Sequence, residues 1–245
     1  MDTFKLTSKL KAYKAKIESE TLRKVIIEPV PKPYIANGEI FAFRPHHSNI
    51  SVYYAQYAQI TEAEFEYDFA HEMTHGYLLY CLRYHTARRK DYKTDFEGHS
   101  VGLISNTIDD IVVHKILQEE GFGAFSPTIY LRTIREETES IPSGAKIYNT
   151  VSQNALDRNR FMVLRYIIAW GHTRYCDLEP SSLIIIKKFI NVFEKHLPEQ
   201  HTMAKPIKQL LLDNDIFSVE GHLIILQGAL SSWNLKDSVE LVQLV

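Results

Sequence analysis

The sequence predicts an α+β fold: a small, mostly antiparallel sheet packed on one long helix, with a largely helical C-terminal half. Three observations lead there. Short β-forming runs, interrupted by prolines, occupy residues 23–57. At Thr61 the apolar period changes to that of a helix and holds to about Tyr84. From Val151 onward the pattern is helical, broken at Pro198, at Asp213-Asn214-Asp215 and at Gly221.

The elements follow in order. Leu6, Leu10, Tyr13 and Ile17 recur at spacings of three and four, so residues 3–22 read as an amphipathic helix. Residues 23–30 read as a strand stopped by Pro29, Pro31 and Pro33. Glu39 to Phe43 and Asn49 to Tyr57 are further strands, separated by a turn at 44–48. Thr61 and Glu64 have the spacing of a capping box, which starts the long helix. A polar loop is expected over 86–99, then a second helix from Val101 to Glu120 ended by Gly121. Residues 121–149 read as irregular, and Val151 to Tyr175 as a third long helix.

Composition excludes several classes. The chain has 245 residues, 45% hydrophobic and 24% charged, with a formal net charge of -2. It can bury a sizeable core without staples, and it carries no electrostatic footprint for direct nucleic-acid binding. Arg88-Arg89-Lys90 is the tightest basic cluster and reads as solvated surface. Cys81 and Cys176 form no CxxC pair and suggest no disulfide framework. The N-terminus shows no signal peptide, and no apolar run is long enough to span a bilayer. The expected compartment is cytoplasmic, with no membrane partner.

The chemistry lies in His71-Glu72-Met73-Thr74-His75. Two histidines four apart on a helix share a face, one turn apart. Their nitrogens can meet one Zn2+ at about 2.0–2.1 Å. Glu72 is rotated by about 100° from His71, placed to reach an activated water without being a ligand. It is the candidate general base for attack of that water on a carbonyl. The row Phe65, Phe69, Met73 and Tyr77 provides the apolar side of this helix.

A catalytic zinc takes a third protein ligand and keeps one position open. Leu78 and Cys81 stand where the metzincin pattern has glycine and histidine, which excludes that class. Cys81 lies more than a turn beyond His75 and reads as a core thiol. The HEMTH helix followed by Asn106-x-x-x-Asp110 resembles the gluzincin zinc metallopeptidases, most of all their compact intracellular members, over roughly residues 20–125. The resemblance implies a carboxylate third ligand on the second helix, with aspartate standing here where glutamate is usual. On a helical wheel Asn106, Asp110, Val113 and Leu117 form one stripe, opposite Lys115, Gln118 and Glu119. Asp110 is therefore the candidate ligand and Asp109 the alternative, the other of the two, or Asn106, serving to orient a ligand histidine. His114 is expected at the surface or beside the ligands, and His46 and His47 in a solvated turn. His99 reaches the metal only if its loop folds back, and His172, His196, His201 and His222 show no ligand spacing.

The resemblance further implies a zincin-like catalytic domain over 1–150, and a helical subdomain over 151–245 that completes the cleft. An edge strand within Glu39 to Tyr57 would take the substrate as an added strand. The helix carrying Arg160, Arg165 and Tyr166 is a candidate source of an oxyanion donor. The expected function is hydrolysis of peptide bonds in a peptide or protein substrate, with Zn2+ as cofactor. The alternative is an inactive zincin-like module acting through a protein partner; retention of Glu72 speaks against it. A regulatory protein partner is compatible with either.

Overall fold

A computed structural model of the chain describes residues 6–30, 41–45, 48–55, 61–90, 95–126, 129–144 and 153–244. His46 and His47 lie outside them. The fold is α+β, with a small sheet and a largely helical C-terminal half. No helix among the described residues is long and apolar enough to cross a membrane. The chain divides into two compact units, one of Met1–Arg83, Val113–Ile129 and Leu244–Val245, the other of Tyr84–Val112 and Tyr130–Gln243.

The first unit holds α1 (Ser8–Thr21), β1 (Lys24–Val30), β2 (Phe41–Pro45), β3 (Asn49–Ala55) and α2 (Glu62–Tyr80). The strands form a sheet in the order β1-β3-β2. β2 pairs antiparallel with β3 as expected, but β1 pairs with β3 in parallel, Ile27 opposite Val52. The reason is topological: β2 takes the far edge, so β3 enters beside β1 running the same way. α2 starts where the sequence places it. Thr61 Oγ1 accepts from Glu64 N, and the Glu64 carboxylate accepts from Thr61 N. Phe65, Phe69 and Met73 are buried. Thr74 Oγ1 donates to Ala70 O and is 2.8 Å from the Tyr13 hydroxyl, which ties α1 to α2.

Gly76 sets the spacing between α2 and the sheet. A Cβ there would lie 2.6 Å from Cγ2 of the fully buried Ile50 on β3. Alanine would gain about 1 kcal/mol in helix propensity, but forcing the β-branched Ile50 aside costs about 1–3 kcal/mol. Gly76→Ala is expected to lower the unfolding midpoint in denaturant, because Ile50 has no open side to move into. An unchanged or raised midpoint would show that the sheet can back away from α2.

The helix α3 (Asp95–Glu119) is continuous across the boundary of the units, which falls between Val112 and Val113. It starts earlier than the sequence suggests, inside the expected polar loop. Gly121 ends it as expected, with φ 81° and Phe122 N donating to Leu117 O.

The second unit holds β4 (His85–Arg89), the first part of α3, α4 (Ile129–Ser143), α5 (Gln153–Tyr175), α6 (Pro180–His196), α7 (Pro198–Asp213), α8 (Val219–Ser232) and β5 (Val239–Gln243). Two elements correct the sequence reading. α4 occupies a stretch read as irregular, burying Ile134, Glu137, Thr138 and Ile141 along one face. Glycines and prolines bound it, and Pro142 falls in its last turn, where few intrahelical bonds remain to be broken. β4 occupies the expected polar loop and pairs antiparallel with β5, His85 opposite Gln243. Gly221 lies inside the first turn of α8 and does not precede it.

Candidate metal centre

Three ligand atoms converge. His71 Nε2 and His75 Nε2 are 3.1 Å apart, close to the separation of about 3.3 Å that two nitrogens take on one tetrahedral zinc. One ligand atom each from His71, His75 and Asp110 all lie within 4.8 Å of one another. Among the described residues this is the only such group of three or more histidines, cysteines or acids. All three residues are half-buried, so the cluster is reachable from solvent. On α2 two of the three residues between the histidines, Met73 and Thr74, are fully buried. Core packing thereby fixes which way the histidine face turns.

Asp110 belongs to the part of α3 just before Val113. One turn later His114 is buried with its ring centroid 5.2 Å from that of His71 and 6.4 Å from that of Tyr67. Of the two expected places for His114, at the surface or beside the ligands, the structure has the second. Asn106, read as part of the inward stripe, is exposed, so it orients no histidine. Asp109 is buried, and its Oδ1 lies 2.8 Å from His222 Nε2. It is not among the three converging residues, and its partner is a histidine to which the sequence assigns nothing.

Glu72 is held beside the histidines. Its Oε2 accepts a 2.6 Å hydrogen bond from the backbone N–H of Phe43 on β2. The Phe43 ring stacks on His75, with centroids 6.4 Å apart and planes 9° apart. Among the described residues β2 is an edge strand, so the N–H that meets Glu72 points away from β3. Phe43 therefore touches two candidate site residues, and its place in a β-forming run was the one signal for it in the sequence.

The electrostatics suit a cation. Burial pushes the Asp68 carboxyl up to about 6, against the pull of His71 and with the negative charges of Glu72 and Glu64 adding to it. Burial is the larger cause, and the neighbouring carboxylates of α2 add to it. Two imidazoles and one carboxylate with solvent access make a donor set that zinc takes in catalytic sites. The residues present fit the metal.

The side chains considered as oxyanion donors are engaged elsewhere. Arg165 is paired with Glu137 at 3.2 Å, and the Tyr166 hydroxyl donates to Glu194 at 2.6 Å. Arg160 donates to Ser100 Oγ at 2.8 Å. Cys81 and Cys176 form no disulfide. No protein-family model matches the chain, and neither a curated protein nor a solved structure is detectably similar to it.

Proposed function

We propose that this chain is a zinc-dependent peptidase of the gluzincin type, with His71, His75 and Asp110 as ligands and Glu72 as general base. The observation that carries the reading is the convergence of these three ligand atoms beside a glutamate already held in place. A Zn2+ bound there supplies Lewis acidity, lowering the pKa of water toward about 7 and polarising a carbonyl. Glu72 takes the proton of the attacking water and passes it to the leaving amine. Phe43 N–H fixes one carboxylate oxygen of Glu72, so the base is oriented before substrate arrives.

Among the described residues no strand pairs with the edge of β2 away from β3, which supports a substrate bound as an added strand, with backbone hydrogen bonds giving affinity across sequences. Two cysteines that form no disulfide agree with a cytoplasmic site of action.

The test is hydrolysis of a peptide library by the purified chain. Cleavage should stop with a chelator and return with added Zn2+. Cleavage that ignores the chelator would contradict the metal's role, and a zinc-loaded chain that cleaves no peptide would contradict the peptidase reading.

A further inference from the structure

We infer that His222 is a positioning residue for the metal centre, acting through Asp109 to set the rotation of α3 that presents Asp110. The inference rests on the proposed metal-site reading and extends it to a residue far away in sequence. His222 is fully buried on the first turn of α8, and its Nε2 lies 2.8 Å from Asp109 Oδ1. Its Nδ1 has no hydrogen-bond partner among the described residues, so the bond to Asp109 is the ring's single polar tie.

The ring is firmly placed. The Tyr84 ring meets it edge-on, with centroids 4.7 Å apart, and the Tyr84 hydroxyl donates to Phe217 O at 2.6 Å. Ser218 caps α8 by accepting from Gly221 N. Gly221 lets the Asp215 carbonyl pack against the first turn, where any Cβ would collide with it. His222 is thus carried by a capped helix end and wedged by an anchored tyrosine.

Asp109 and Asp110 are consecutive on one helix, so their side chains leave it about 100° apart. Fixing Asp109 toward α8 fixes the direction of Asp110. Burial gives the middle of α3 only a coarse orientation: Ile108, Ile111, Val112 and Val113 are all buried, Asn106 and Asp110 mark the wetter side, and apolar packing is non-directional. A directional bond between two buried polar groups chooses one rotation.

The test compares Zn2+ affinity, by chelator competition, and the visible spectrum of the Co2+-loaded chain in His222→Gln and His222→Phe. Glutamine keeps an N–H that can reach Asp109; phenylalanine keeps the ring contact with Tyr84 and loses the bond. His222→Phe is expected to bind Zn2+ about 10–100-fold more weakly and to shift the Co2+ spectrum. His222→Gln is expected to stay within about 3-fold of the parent, on the strength of that retained bond. Should His222→Phe not fold, the double variant His222→Phe/Asp109→Asn, which removes the stranded buried charge, carries the same comparison. A merely structural role would lower the stability of the metal-free variants while leaving affinity and spectrum at parental values. That result overturns the positioning role, as does a His222→Gln variant no better than His222→Phe. A parent chain that takes up neither ion overturns the metal-site reading, and this inference with it.

Discussion

Glu72→Gln is expected to keep Zn2+ at one ion per chain and to lower the rate of peptide hydrolysis by about 10²–10⁴-fold, the usual worth of a general base. The two effects separate because Glu72 is not among the converging ligand atoms, whereas its carboxylate is held by the Phe43 N–H of β2. The amide is close to the carboxylate in shape, and its oxygen can still accept from Phe43 N–H. Position is therefore retained while basicity is lost. A fall in kcat with little change in KM is the expected form, since the proton is transferred only in the transition state. If zinc content falls in step with activity, Glu72 is holding the metal. If the variant cleaves as fast as the parent, another group is the base.

The second large effect is at the third ligand. Asp110→Asn should weaken Zn2+ binding by more than about 100-fold, beyond the 10–100-fold range of residues that act behind a ligand. The amide carries no charge and is a poor donor for zinc. Asp109→Asn should cost far less, because an amide oxygen can still accept from His222 Nε2. Affinity in the parent should fall as pH drops, since binding requires neutral imidazoles and an ionised carboxylate. Chelator competition on both variants at one pH gives the comparison. Equal small losses would mean that neither aspartate is a ligand, and a larger loss at Asp109 would exchange their roles.

What the sequence made legible was local. Thr61 and Glu64 name the start of α2 because a capping box is complete within four residues, and both of its hydrogen bonds form. His71 and His75 share a face because helix geometry leaves no alternative. Asp110 followed from a wheel that was only partly sound. The wheel assumed one wet face and one dry face, whereas mid-α3 is buried nearly all round and Asn106, on the supposed inner stripe, is exposed. Asp109 is the more buried of the two aspartates, and His222 is what makes that burial tolerable. That partner lies 113 residues away, and no spacing rule reaches so far. The ribbon of β4 and β5 was hidden for the same reason, since His85 and Gln243 meet only after the intervening chain has folded. α4 was missed for a local reason: the punctuation around Ile129–Ser143 outweighed the spacing of Ile134, Glu137, Thr138 and Ile141.

The most direct test of the whole account is a crystal structure of the zinc-loaded chain with anomalous scattering measured at the zinc edge. The account predicts a single peak at about 2.0–2.2 Å from His71 Nε2, His75 Nε2 and an Asp110 carboxylate oxygen, with one coordination position open. A peak held by other residues, or none beside a His71 and His75 that face each other, would contradict it.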